Sequence, residues 1–170
     1  MANIVLIGFM GSGKSTIGSA LAQKMGRFLL DTDSLIQTTY NQRIPEIFAQ
    51  YGEQKFRELE SQAIAWLSTN VSNAIIATGG GMPIFNDIST LGEIYYLQSD
   101  FETILARLDH QERSKRPLFS DQAQAKALYL ERQNLYAKVA HHTINANNDI
   151  PEILTEILTH HNASSTSKNA

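Results

Sequence analysis

No cysteine occurs among the 170 residues, so a disulfide framework, a thiolate zinc site and a catalytic thiol are all excluded. Such a composition suits a reducing compartment, and a cytoplasmic protein is expected. An excess of positive charge is missing too. Lys plus Arg (14) against Asp plus Glu (17) leaves a net charge of −3, which argues against gripping nucleic acid by bulk charge. Any anion site must be local. There is also no long lipid-spanning run. The longest uncharged stretch, Ser61 to Asn86, holds Asn70, Asn73, three consecutive glycines and Pro83, which no membrane helix would tolerate in its middle. Met1-Ala2-Asn3 passes straight into Ile4-Val5-Leu6-Ile7 without the basic n-region of a secretory signal.

What is present is enough apolar surface for one interior: 42% hydrophobic and 18% charged residues, in a length typical of a single domain. We expect one domain over 1–160. The last ten residues, His161 to Ala170, are rich in Asn, Ala, Ser and Thr with nothing to bury, and a disordered tail is expected there.

Short apolar runs alternate with segments of helical period. Ile4–Ile7, Phe28–Leu30, Ala74–Ala77, Ile94–Leu97 and His142–Ile144 read as strands. Lys14–Met25, Asp33–Thr39, Ile44–Tyr51, Glu53–Thr69, Phe101–Leu108, Gln122–Val139 and Ile150–Thr159 read as helices. That alternation predicts right-handed crossovers and a three-layer α/β/α fold with a central five-stranded parallel sheet. Ligands of such sheets sit beyond the C-terminal ends of the strands. Residues 109–121, with Arg113, Lys115, Arg116 and a proline, show no apolar period and read as an exposed loop.

Gly8-Phe9-Met10-Gly11-Ser12-Gly13-Lys14-Ser15 fits G-x-x-x-x-G-K-[ST] between a predicted strand and a predicted helix, the context of a phosphate-binding loop. Its glycines let backbone N–H groups turn inward around phosphate oxygens, while Lys14 reaches the β/γ phosphates and Ser15 can ligate Mg²⁺. Asp31-Thr32-Asp33 ends the second strand. In extended chain the two carboxylates would point the same way, one serving Mg²⁺ through water and the other holding a hydroxyl; a helix cap at Asp33 is the alternative. Arg57 lies three residues before Glu60, which suits a surface ion pair as well as a directed guanidinium. Gly79-Gly80-Gly81 permits close backbone approach to a ligand, or simply a flexible turn. A GTP-driven switch would carry Asn-Lys-x-Asp and Asp-x-x-Gly segments, and neither is found. The histidine pairs 141–142 and 160–161 are expected at the surface, since adjacent side chains point apart.

Gly8 to Thr16, Leu30-Asp31-Thr32-Asp33, Gly52-Glu53 with Phe56-Arg57 and Glu60, Gly79-Gly80-Gly81, Arg116-Pro117-Leu118, and Arg132 with Tyr136 together resemble the shikimate kinase family, from about Ile4 to Leu158. Gluconate and nucleoside-monophosphate kinases share the phosphate loop but not this acceptor set. The resemblance implies a P-loop fold of the nucleoside-monophosphate-kinase kind. It also implies ATP-dependent phosphorylation of the 3-hydroxyl of shikimate, on the route to chorismate and the aromatic amino acids. Mg²⁺ is the implied cofactor, and a monomer that engages neither nucleic acid nor membrane is expected. Carried over position by position, Lys14, Asp33 and Arg116 would be catalytic. Asp33, Arg57, Arg132 and Gly79, Gly80 and Gly81 would bind shikimate, with Phe48 and Phe56 shaping an apolar wall. Gly11, Ser12, Gly13, Lys14, Ser15, Thr16, Arg107 and Arg116 would hold the nucleotide. Ser15, with Asp31 through water, would serve the metal, and residues 109–121 would form a mobile lid. For Arg107 a helix-surface arginine paired with carboxylates is the alternative.

Overall fold

The computed structural model describes residues 2–108 and 121–167. Over these the chain runs β1 (Ile4–Ile7), α1 (Lys14–Met25), β2 (Leu29–Asp31), α2 (Thr32–Tyr40), α3 (Ile44–Asn70), β3 (Ile75–Ala77) and α4 (Met82–Phe85). A 3-10 turn (Ser89–Leu91) leads to β4 (Glu93–Gln98), α5 (Phe101–Arg107), α6 (Gln122–Val139), β5 (His142–Asn145) and α7 (Ile150–Ser167).

The five strands form one parallel sheet in the order β2-β3-β1-β4-β5. From β1 the chain crosses to the β2 edge, returns inward through β3, and then passes to β4 and β5 on the other side, so the strands flanking β1 are reached from opposite directions, and this reversal point is the place where such sheets take ligands. Because side chains alternate along a strand, each face gathers its own core. Val5, Ile7, Ile76, Ile94 and Tyr96 meet Leu67 of α3, Ile104 of α5 and Tyr136 of α6. Ile4, Leu6, Ile75, Tyr95 and Leu97 meet Leu21 of α1 and Ile157 of α7. Far from the reversal point, Asn3 ties the N-terminal edge together: Nδ2 donates to the carbonyls of Val71 and Leu91 (both 2.9 Å), and Oδ1 accepts from the Ala74 amide.

Four expectations need correction. The second strand is shifted by one residue, because Phe28 is 85% exposed while Leu29 packs against the α1 face of the sheet. The two helices expected on either side of Gly52 run on as α3, broken at that glycine (φ 80, ψ 173), a backbone state that few other residues tolerate. The tail is not disordered from His161, because α7 continues to Ser167. Its composition is overruled by a tertiary contact: His161 is buried, with Nδ1 2.8 Å from Glu93 Oε2, and Ser164 donates to Glu93 Oε1. His142 meets the same carboxylate at 3.0 Å, and the His160 ring stacks on that of His142. These histidines are thus structural. His161 is not the surface residue expected, and among the described residues no cluster of three or more His, Asp or Glu could hold a metal.

Candidate active site

The loop after β1 takes its shape from Gly8 (φ 149), Gly11 (φ 82) and Gly13 (φ 95). Gly13, the residue before α1, has no side chain with which to cap the helix, which leaves its first amides to line the loop's concavity. Lys14 Nζ donates to the carbonyls of Gly8 (2.8 Å) and Phe9 (3.0 Å), which holds the ammonium over the loop. Ser12 is buried beneath it, whereas Ser15 and Thr16 stand exposed on the rim. The third-strand glycines lie directly alongside: a Cβ at Gly80 would sit 3.6 Å from both the Gly8 carbonyl and the Met10 amide. Phosphate loop and glycine loop thus form adjoining walls of one cavity of about 980 Å³.

Asp31, not Asp33, caps α2: its Oδ1 accepts from the Ser34 amide at 2.9 Å. Its other oxygen faces Ser15 Oγ at 3.4 Å. Extended geometry does not align the two carboxylates, since β2 ends at Asp31 and Asp33 already lies in the first turn of α2. Both nevertheless line the cavity, because the turn swings Asp33 under Gly79. Thr32 fixes that turn by accepting the Gly79 amide at 3.0 Å. Asp33 Oδ1 is buried with no hydrogen-bond partner among the described residues. Burial and the neighbouring Asp31 charge raise its pKa to about 6, against the opposing pull of Lys14 and Arg57.

Arg57 is held from several sides. It bonds Glu53 Oε1 (2.8 Å from Nη2) and Glu60 Oε2 (2.8 Å from Nη1), and its Nη1 would lie 2.7 Å from a Cβ at Gly81. Glu60 is buried, which raises its pKa against the pull of Arg57, and Asn86 gives it a second donor at 3.1 Å. The pair is therefore no ordinary surface bridge. Arg132, on α6, reaches toward the same place, with its guanidinium carbon 5.9 Å from the Phe85 ring and that of Arg57 at 4.0 Å. Tyr136, one helical turn on, donates to the Gly80 carbonyl at 2.6 Å. Phe48 and Phe56 pack ring on ring at 4.8 Å, and Phe56 belongs to a small core between α2 and α3.

Arg107 departs from the alternative reading, because its partners are not carboxylates. Nη2 donates to the Ala146 carbonyl (2.6 Å), and Nη1 contacts Ser99 Oγ (3.2 Å) and the Ser12 carbonyl (3.5 Å). It lines the phosphate-loop end of the cavity with Asn148, Ile150 and Ile153. Arg116 and all of the expected lid except Asp121 lie outside the described residues. Sequence reasoning missed Phe85; the available signal was a large apolar residue soon after the glycines in a segment too short to bury it.

Comparison with known proteins decides among kinases that share such a loop. The shikimate kinase family model matches residues 10–162. The chain belongs to the shikimate kinase family. A shikimate kinase of Helicobacter hepaticus is 54% identical over 158 residues, covering 93% of this chain and 95% of that one. One from Enterococcus faecalis is 37% identical over 165 residues, covering 93% and 97%. The structure of the Acinetobacter baumannii shikimate kinase in complex with shikimate superposes with a TM-score of 0.84 at 32% identity, covering 96% of this chain and 94% of that one. A deoxyadenosine kinase of M. mycoides, 16% identical with a TM-score of 0.64, shares the fold alone with this shikimate kinase family member.

Proposed function

We propose that the chain transfers the γ-phosphoryl group of ATP to the 3-hydroxyl of shikimate, giving ADP and shikimate 3-phosphate, with roles divided among the residues just described. Family membership carries the reaction and its co-substrate. The observation that supports the division of roles is the placing of Asp33 between the phosphate loop and the glycine loop, with a buried oxygen that has no hydrogen-bond partner among the described residues and a pKa raised to about 6.

Phosphoryl transfer asks little covalent chemistry of the protein; it asks for alignment and for charge where charge develops. Lys14 and the amides that open α1 hold the β/γ phosphates. Asp33 accepts the hydrogen bond of the 3-hydroxyl and then its proton as the new P–O bond forms and the bond to the ADP oxygen breaks. A carboxylate of raised pKa is a better proton acceptor than an ordinary one and is still ionised at neutral pH. Arg57 and Arg132 hold the substrate carboxylate, since planar guanidiniums can each donate two parallel charge-assisted bonds. The backbone from Gly79 to Gly81 closes the pocket against the ring, and Phe48 and Phe56 back its apolar side. Arg107 braces the nucleotide end by holding the phosphate loop to the β5–α7 connection. Arg116 is assigned to the transferring phosphoryl group on family grounds alone.

Ser15 Oγ and the Asp31 carboxylate, 3.4 Å apart on the cavity rim, are the hard oxygen donors that suit Mg²⁺. Bound there with ATP, with Asp31 acting through water, the ion would neutralise charge on the β- and γ-phosphates. No helix among the described residues is long and apolar enough to cross a membrane. We place the enzyme in the cytoplasm, consistent with its cysteine-free composition.

The test is ADP release with Mg·ATP in the presence of shikimate, gluconate or no acceptor. Shikimate-dependent turnover is expected; faster turnover of gluconate, or release without acceptor, would refute the acceptor assignment.

A further inference from the structure

We propose that Phe85 is a positioning residue for shikimate: its ring is the platform on which Arg57 and Arg132 are held toward one carboxylate. The inference rests on the carboxylate role given to the two arginines above.

Phe85 ends α4 and is 51% exposed, an unusual setting for so large an apolar side chain. Burial does not explain it. Met82 and Pro83, at the other end of α4, are the residues that sink into the interior, and the Asn86 amide closes the turn on the Met82 carbonyl at 3.0 Å. What Phe85 touches is charge. The Arg57 guanidinium carbon lies 4.0 Å from its ring centroid and that of Arg132 5.9 Å, both within the reach of a cation–π contact.

Two guanidiniums aimed at one small anion repel each other until it arrives. Arg57 is positioned by ion pairs with Glu53 and Glu60, whereas Arg132 has no ion-pair partner among the described residues. The negative face of an aromatic ring eases that repulsion without forming a bond that the substrate would have to break, and it fixes the direction of both planar groups. A carboxylate in its place would neutralise the arginines and compete with the substrate. A leucine would fill the space but offer neither quadrupole nor flat surface. Phe85 thus acts through the arginines and not on the reacting atoms.

The experiment compares Phe85→Leu, Phe85→Tyr, Arg57→Ala, Arg132→Ala and the double variant Phe85→Leu/Arg132→Ala in steady-state kinetics and thermal melting. Phe85→Leu should raise the shikimate KM about 3-fold to 10-fold, with kcat, the KM for ATP and Tm unchanged. Phe85→Tyr should restore the parent KM. In the Arg132→Ala background the added loss from Phe85→Leu should shrink. An unchanged KM in Phe85→Leu beside a large rise in Arg57→Ala overturns the role of Phe85 and leaves the arginines in theirs. An unchanged KM in Arg57→Ala and Arg132→Ala overturns the carboxylate assignment itself, and the inference with it. A fall in Tm with no tyrosine rescue would show Phe85 to be merely structural.

Discussion

The carboxylate of Asp33 packs so tightly against the backbone of Gly79 that a Cβ at that glycine would overlap Oδ1. The backbone of Gly79 does not need glycine, as its φ lies outside the left-handed range, so the restriction comes from the acid alone. Gly79→Ala should therefore displace a side chain, not the fold. We expect kcat to fall at least 10-fold with Tm within about 2 °C of the parent. Wild-type turnover in this variant would mean that the position of Asp33 is not critical.

The pKa of about 6 at Asp33 sets a pH dependence. If the ionised acid accepts the hydroxyl proton, kcat/KM must fall as pH drops through about 6, since protonation removes the acceptor. Asp31 helps to raise that pKa, so in Asp31→Asn the acid limb of the residual activity should move to lower pH. Arg57 opposes the rise, so in Arg57→Ala the limb should move higher. Limbs that stay fixed in both variants would assign the titration to another group.

Arg57 and Arg132 should separate in stability while agreeing in affinity. In the proposed carboxylate role each would contribute a charged contact worth about 1.5–3 kcal/mol, so either alanine variant should raise the shikimate KM about 10-fold to 150-fold and spare that for ATP. Arg57→Ala also strands Glu60, whose side chain is 1% exposed and keeps only Asn86 among the described residues. That should cost a further 1–3 kcal/mol of stability, roughly 3–10 °C in Tm. Arg132→Ala should melt close to the parent. Glu60→Gln added to Arg57→Ala should recover part of the lost Tm by removing the buried charge.

Glu93 opens β4, at the end of the sheet opposite the cavity, and accepts from His142, His161 and Ser164. Burial alone would raise its pKa, but those hydrogen bonds outweigh burial and hold it at about 2. Because the folded value lies below the ordinary 4.5, the stability it contributes is present above pH 4.5 and is lost as pH falls toward 2. Glu93→Gln should lower Tm at neutral pH, flatten the acid branch of the stability curve and leave kcat and KM untouched. Altered kinetics would show that this end of the sheet couples to the site.

The sheet and the phosphate loop were legible because apolar alternation, glycine spacing and the loop's flanks are local properties. The same holds for Lys14 and Ser15. Asp33 was legible by type but not by geometry, since the shift from strand to helix at Thr32 depends on the Asp31 cap and on Thr32 meeting the Gly79 amide, 47 residues away. His161 was misplaced for a related reason: a polar tail gives no sign that Glu93, 68 residues earlier, will bury one of its members. Phe85 stood out by its size in a short segment, but its partners were not legible, because they come from α3 and α6 and only the folded chain brings them to one ring.

The central claim, that Asp33 accepts the proton of an acid acceptor held by two arginines, is tested most directly by Asp33→Asn measured for turnover and for shikimate binding. The substitution keeps the shape and removes the base. The account predicts that kcat falls by about 100-fold or more, with shikimate Kd within about 10-fold of the parent. Turnover near the parent's would contradict it, as would Asp33→Asn turnover retaining a full acid limb near pH 6.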